Sequence, residues 1–284
     1  MIENAYDWEH LPHVHSSSFK SIELFDEGAW GWQAKVTLPD CRVQHLELLV
    51  DRDNNYWATT VLSGDARGFE IHTHAIERQD REIDVLVKFY LPEAFSKILK
   101  LLTVAQRLLP FSLYKRVARK FGVYRVAKNE NPKTSILKTL QRQYSVLYDE
   151  DETLMSSRQV AIDHRKESKL YDMPDSLIIG TPEQVTQQLP KVVQFGKQRF
   201  VINRWQDQWR VYAADCPHLL GPLENAQIDQ GGQITCPWHG YTFDINTGKS
   251  CDQQALSLAK PPSLKLLDGQ LCLMPSASHF EHQD

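Results

Sequence analysis

The sequence predicts an α+β protein of two domains, in which an antiparallel sheet and helices are followed by a small all-β domain. Residues 18–91 alternate apolar and polar side chains, as strands with one buried face do. Residues 93–128 and 150–168 have helical character, and short runs typical of strands resume at Leu177. A chain of 284 residues with 42% hydrophobic content is long enough to bury two cores.

The alternation is clearest in two segments. Apolar residues occupy every second position over residues 30–38 and again over residues 83–89. This period of two predicts strands of a half-buried antiparallel sheet. The polar stretch 165–169 then marks a domain boundary. The predicted domains are residues 1–168 and 169–284.

The cysteines and the lack of recognisable targeting signals indicate the cellular compartment. The chain has five cysteines, and three of them, Cys41, Cys251 and Cys272, are expected to be reduced and buried, as in a reducing compartment. The first residues resemble no secretory signal, and no apolar run reaches the ~20 residues of a membrane span. These features favour a cytoplasmic protein.

Two short segments each offer one thiol and one imidazole: Cys216-Pro-His218 and Cys236-Pro-Trp-His239. The four side chains could hold a structural zinc ion, but zinc modules usually pair cysteine with cysteine and histidine with histidine. The mixed pairs argue against zinc. Together with the residues that follow, 240–248, they resemble the cluster loops of Rieske proteins.

The Rieske resemblance implies a [2Fe–2S] cluster with one iron on Cys216 and Cys236 and the other on His218 and His239. Neither loop contains the additional cysteine of the respiratory-complex type, and Tyr241 stands where that type usually has a serine. The resemblance is therefore to Rieske ferredoxins and Rieske oxygenases. It implies a potential near the low end of the Rieske range, on the order of −150 mV.

A second motif lies at the start of the chain, where residues 3–15 read E-N-x2-D-x2-H-x4-H. This pattern resembles the iron-binding stretch in the catalytic domain of Rieske non-haem iron oxygenases. The resemblance implies that His10 and His15 bind a mononuclear Fe(II), with one carboxylate completing the triad. In the family that carboxylate comes from a later helix. The acidic cluster at a comparable place offers Asp151 as the predicted ligand and Glu150 as the alternative.

The same resemblance assigns a role to Asp7. The matching aspartate of the family bridges a histidine of the cluster and a histidine of the mononuclear iron, so Asp7 would lie on the electron path. Simpler interpretations are a helix N-cap for Asp7, a histidine-rich N-terminus without metal, and an acidic run that favours the start of a helix. Both motifs in one chain favour the metal-binding interpretation, because the cluster delivers electrons that the iron uses.

The resemblance implies the oxygenase component of a Rieske non-haem iron monooxygenase or dioxygenase, which uses O2 to oxidise an organic substrate of apolar or aromatic character. Its catalytic domain would have the helix-grip (START-like) fold with a curved antiparallel sheet, and its assembly would be a homotrimer. The domain order is permuted, because the family has the Rieske domain first. The chain shows no dinucleotide fingerprint, so electrons would come from a separate NAD(P)H-dependent reductase or ferredoxin.

A non-enzymatic alternative is a Rieske electron-transfer protein fused to a START-like ligand-binding domain, in which His10 and His15 hold no iron. Iron content separates the two hypotheses, because the oxygenase needs three irons per chain and the carrier needs two. Hydroxylation, dihydroxylation, demethylation and desaturation all use this constellation, so the motifs leave the reaction open.

The charge is unevenly distributed. The segment from Lys97 to Arg142 holds 12 Lys or Arg residues and one acid, Glu130, a net charge of +11 in a chain of −4. The favoured interpretation is a solvated helical face over the core. The alternatives are docking of an acidic reductase and contact with an anionic membrane surface. A nucleic-acid partner is not predicted.

Overall fold

The computed structural model describes the chain in five stretches, namely residues 1–64, 66–79, 82–120, 131–252 and 255–276. It divides into two compact units, Met1–Glu152 and Thr153–Asp284. One long helix runs through this division, so the predicted boundary after residue 168 stays a prediction.

The first unit is built on a six-stranded antiparallel sheet in which each strand pairs with the next in the chain. Together with the helices given below, this antiparallel sheet confirms the α+β class. The strands are β1 (Ser21–Gly28), β2 (Gly31–Thr37), β3 (Val43–Asp51), β4 (Tyr56–Val61), β5 (Glu70–Glu77) and β6 (Ile83–Tyr90). Two short helices, α1 (Ile2–Tyr6) and α2 (Leu11–Val14), precede them.

One face of this sheet forms the core of the unit. Alternate residues of β2, namely Trp32, Ala34 and Val36, are buried together with Leu46, Leu48 and Trp57 of the neighbouring strands. Side chains of α1 and α2 pack on this apolar face, and the indole Nε1 of Trp32 donates to the carbonyl oxygen of Ala5 at 3.0 Å. The first residues of the chain are therefore held against the sheet.

Three helices follow the sheet: α3 (Glu93–Leu108), α4 (Phe111–Lys120) and α5 (Pro132–Ser168). The break at Pro110 agrees with the loss of a helical hydrogen bond at proline, and predicted helical residues 121–128 lie outside the described part. Helix α5 begins well before the predicted start at residue 150. The missed half buries one side chain per turn, since Tyr148 contacts Thr73 with 3.0 Å between hydroxyl oxygens and Tyr144 contacts Phe89 with ring centroids 4.9 Å apart.

The second unit is a set of small antiparallel sheets, as predicted from Leu177 onward. Its strands are β7 (Leu177–Gly180), β8 (Lys191–Phe195), β9 (Gln198–Trp205), β10 (Gln208–Ala213), β11 (Gln233–Thr235), β12 (Thr242–Asp244), β13 (Ser263–Leu267) and β14 (Gln270–Met274), with a short helix α6 (Pro182–Thr186) after β7. Val185, Phe195, Phe200, Ile202, Leu271 and Leu273 form the core. The segment that begins at Cys216 follows β10 after two residues, and the segment that begins at Cys236 follows β11 directly.

Two of the three additional cysteines differ from expectation. Cys272 is buried, but Cys41 and Cys251 are exposed. Cys41 has a positive φ (65°). Residues other than glycine adopt this conformation rarely, and mostly in turns. Among the helices that the structure describes, none combines the length and the apolar character needed to cross a bilayer.

We expect Gly31→Ala to destabilise the first unit by about 2–5 kcal/mol. Gly31 has a φ of +135°, and a Cβ there would lie 1.8 Å from the carbonyl oxygen of Leu48. Gly68→Ala is the matched control, because its φ is also positive (+80°) but its nearest neighbour, Pro92, is 3.7 Å away. The control should cost about 1 kcal/mol. Equal losses in urea unfolding of the two variants would contradict the steric argument.

Candidate metal centres

His10, His15 and Asp151 come together in the first unit. The two histidines are each 2% exposed, and their Nε2 atoms lie 3.3 Å apart. Asp151 Oδ1 lies 3.0 Å from His15 Nε2 and 3.6 Å from His10 Nε2. Two imidazoles and one carboxylate therefore point at a common position.

Short helix α2 explains why both rings face the same way. His10 immediately precedes α2 and His15 immediately follows it. The backbone N–H of Val14 donates to the His10 carbonyl at 2.8 Å, and that of His15 donates to the Leu11 carbonyl at 3.0 Å. One turn of helix thus separates the rings, whose centroids are 5.1 Å apart. A separation of five residues leaves room for this one turn between His10 and His15.

The surrounding side chains distinguish Asp151 from Glu150. Glu150 Oε2 lies 2.7 Å from Nδ1 of His15, on the far side of the ring from Nε2. Asn4 donates from Nδ2 to Asp151 Oδ1 at 2.8 Å. Glu150 is thus placed to orient an imidazole, whereas Asp151 presents its oxygen beside both Nε2 atoms.

Asp7 lies on the other side of His10. Its Oδ2 is 3.8 Å from His10 Nδ1, beyond hydrogen-bond length but close enough for strong attraction between charges. Asp7 is the C-terminal cap of α1, so the N-cap interpretation is wrong. The acidic run 149–152 lies in the middle of α5, so the interpretation as a helix N-terminal charge cluster is wrong as well.

The electrostatics favour a cation at this position. Burial would lower the pKa of His10, but Asp151 and Asp7 outweigh burial and raise that pKa to about 9. Burial would raise the pKa of Asp151, but hydrogen bonds with His10, His15 and Asn4 hold that pKa well below its usual range. Asp151 is therefore ionised at neutral pH. A divalent metal would displace the proton of His10 and take over its charge.

The donor atoms also fit a metal geometrically. Adjacent ligands on bonds of about 2.1 Å are about 3.0–3.4 Å apart, depending on the coordination angle. The three observed separations run from 3.0 Å to 3.6 Å. Two histidines and one carboxylate on one face are the donor set of non-haem Fe(II) oxygenases, which leaves the opposite positions open.

The second unit brings Cys216 and Cys236 together on two loops with the same backbone pattern. In each six-residue loop the cysteine N–H donates to the carbonyl of the sixth residue, namely Gly221 at 2.9 Å or Tyr241 at 2.8 Å. The N–H of the fifth residue returns to the cysteine carbonyl at 3.0 Å in both loops. That fifth residue has positive φ in both loops, 67° at Leu220 and 74° at Gly240.

Backbone amides donate to both sulfur atoms, and each of these hydrogen bonds favours the thiolate form. The N–H groups of His218 and Leu219 donate to Cys216, and those of Trp238 and His239 donate to Cys236. The hydrogen bond between the two side chains raises the pKa of Cys216 and lowers that of Cys236. Amide donors of this kind stabilise sulfur ligands of iron clusters.

The two histidines approach each other at a right angle. The ring centroids of His218 and His239 are 4.7 Å apart with an interplanar angle of 86°, and Tyr241 packs against His218 at 4.8 Å. Cys216, Cys236 and His239 are buried. The donor set of two thiols and two imidazoles fits a Rieske [2Fe–2S] cluster.

Several contributors were not predicted. Gly221 lies so close that a Cβ there would be 2.6 Å from Cys236 Sγ and 3.2 Å from the Trp238 ring. Leu220 carries positive φ without being glycine, and no sequence signal marks it. The glycine after the first pair was the available signal for close packing.

We expect Gly221→Ala to lower cluster occupancy severalfold, because the added methyl group takes the space beside Cys236 Sγ. Gly231→Ala is the matched control, since its nearest neighbour would be 3.4 Å away. Occupancy is measured by iron and sulfide content and by the EPR signal of the reduced cluster. A zinc-loaded, colourless wild-type protein would contradict the cluster assignment, and full occupancy in Gly221→Ala would contradict the steric argument.

A known protein family matches part of the second unit. Residues 175–262 match the family described as Rieske [2Fe-2S] domain.

The curated relatives match over short stretches. Flavonoid 8-hydroxylase 2 of Ocimum basilicum is 43% identical over 42 residues, 15% of this chain and 8% of the relative. Pheophorbide a oxygenase of Oryza sativa subsp. japonica is 39% identical over 44 residues, which are 14% of this chain and 8% of the relative. The chain thus spans about a tenth or less of the length of these relatives.

A similar solved structure is the ferredoxin of carbazole 1,9a-dioxygenase from Nocardioides aromaticivorans IC177. It is 16% identical with a TM-score of 0.32, over 36% of this chain and 100% of the ferredoxin. From the family match and the curated relatives, residues 175–262 are a Rieske [2Fe-2S] domain in a chain with homologues among Rieske-type oxygenases.

Proposed function

We propose that the chain is the oxygenase component of a Rieske non-haem iron monooxygenase or dioxygenase. The observation that carries the proposal is the convergence of His10, His15 and Asp151 at one buried position in a chain with a Rieske domain. In this proposal these three residues hold Fe(II), and Cys216, His218, Cys236 and His239 hold the [2Fe–2S] cluster. Fe(II) at such a site supplies activation of O2 for oxidation of an organic substrate.

The residues of the chain set up this site before any metal binds. The Glu150 carboxylate accepts a hydrogen bond from the Nδ1–H group of His15, which leaves the Nε2 lone pair free for a metal. Asp151 supplies the negative charge that a buried divalent cation requires. Asn4 fixes the orientation of that carboxylate through its 2.8 Å hydrogen bond.

We propose a helix-grip (START-like) fold for the catalytic domain, residues 1–168. The supporting features are the six-stranded antiparallel sheet and the contacts of α5 with it at Thr73 and Phe89. The proposed substrate is organic, with apolar or aromatic character, as the resemblance to Rieske oxygenases implies. A homotrimer and a separate NAD(P)H-dependent reductase or ferredoxin complete the proposed system.

Iron analysis combined with turnover tests the proposal. Wild-type protein should hold three irons per chain and convert substrate with a surrogate reductase, consuming O2. His10→Ala and His15→Ala should hold two irons, keep the EPR signal of the reduced cluster and lose turnover. Two irons per wild-type chain would instead support a Rieske electron-transfer protein fused to a ligand-binding domain.

The adjacent carboxylates provide a sharper prediction. Asp151→Asn should abolish binding of the third iron, because it removes the charged ligand. Glu150→Gln should keep that iron but weaken its affinity by about 10- to 100-fold, because the amide orients His15 less well. Competition with a chelator measures both affinities. The reverse order of effects would make Glu150 the ligand.

Asp7→Ala should separate electron transfer from metal binding. We expect three irons, an unchanged cluster spectrum and normal reduction by the reductase, because the Asp7 carboxylate lies beside Nδ1 of His10 and not beside Nε2. Oxidation of the pre-reduced cluster in the presence of substrate and O2 should slow at least tenfold, if Asp7 orients His10 for electron transfer. A wild-type rate of this oxidation would rule out that role.

A further inference from the structure

Helix α3 has two apolar faces, and one of them is already used. Leu102 is fully buried in a small cluster with Tyr114, Ala118 and Ile136, which lie on α4 and at the start of α5. Ile98, Leu99 and Ala105 of α3 pack against the same cluster. This face attaches α3 to α4 and α5.

The second apolar face is exposed. Leu101, Val104 and Leu108 are 52%, 51% and 76% exposed, and their spacing of i, i+3, i+7 places them in one stripe along the helix. The exposed cations Lys100 and Arg107 border this stripe. An aliphatic stripe of two turns in water is unfavourable unless something covers it.

The charge around the stripe has one sign. Residues 97–120 contain Lys and Arg but no Asp or Glu, and Lys115, Arg116 and Arg119 of α4 are exposed as well. Protein interfaces are usually depleted in Lys and centred on aromatic residues, whereas this face combines lysines with aliphatic residues. That combination is typical of helices that lie in the surface of an anionic membrane.

We propose that the outer face of α3 docks on an anionic lipid surface. Leu101, Val104 and Leu108 enter the boundary between headgroups and acyl chains, and Lys97, Lys100 and Arg107 lie at the level of the phosphates. The helix lies flat on the surface, as amphipathic interfacial helices do. This proposal is independent of the reaction catalysed by the iron site.

Vesicle co-sedimentation of the full chain tests the proposal, with phosphatidylcholine alone and with added phosphatidylglycerol. Wild-type protein should bind the anionic vesicles much more strongly than the neutral ones, because only the anionic vesicles attract the lysines and arginines. The pair Lys100→Gln/Leu101→Ser should lower the partition coefficient about 50-fold, with about fivefold from the cation and about tenfold from the leucine. Raising ionic strength should weaken the binding without abolishing it, because the apolar contribution is not screened.

The chain offers a matched control. Lys265 and Leu266 are also an exposed Lys-Leu pair, with Leu266 60% exposed, but they lie on strand β13 of the second unit. Lys265→Gln/Leu266→Ser should change binding by less than about twofold. Circular dichroism and cluster absorbance confirm that both variants are folded. Failure of wild-type protein to bind anionic vesicles, or equal losses in the two variants, overturns the proposal and leaves a solvated face or a protein partner.

Discussion

The contact of His15 with Asp151 joins two parts of the chain that are 136 residues apart. Neither side chain can reach the other unless the N-terminal helices and α5 are both seated correctly on the sheet. The indole of Trp32 holds the N-terminal segment at Ala5, and Tyr148 holds α5 at Thr73, one helical turn before Asp151. The position of the carboxylate is thus set by packing of the whole first unit, and not by the local acidic sequence.

Several parts of the fold could be predicted because they depend on local rules. Alternation of apolar residues identified the large sheet, and short apolar runs identified the strands that begin at Leu177. The first half of α5 was missed, although Ile136, Leu140, Tyr144 and Tyr148 recur every four residues. Such a stripe is easily overlooked beside strongly charged neighbours, since three of the turns also carry Lys or Arg.

The candidate sites, like the fold, could be predicted only in part. The resemblance of residues 3–15 to an iron-binding motif singled out His10 and His15, but their role as ligands stays a prediction. Neighbouring residues on a helix point about 100° apart, so choosing between Glu150 and Asp151 requires the rotation of α5 about its axis. That rotation depends on tertiary packing and cannot be derived from the acidic run itself. The prediction that Cys41 and Cys251 are buried was wrong for a related reason. Both lie in connecting segments between strands, and such segments run over the protein surface.

The two cysteine loops of the second unit are equal in length and in backbone closure, yet the histidine follows after one residue in the first loop and after two in the second. Backbone shape and ligand spacing are therefore independent variables in this domain. An exchange of the two loops would preserve the two main-chain hydrogen bonds that close each of them. It would nevertheless move each imidazole, so the spacing between cysteine and histidine alone decides where the imidazoles lie on two loops that close in the same way.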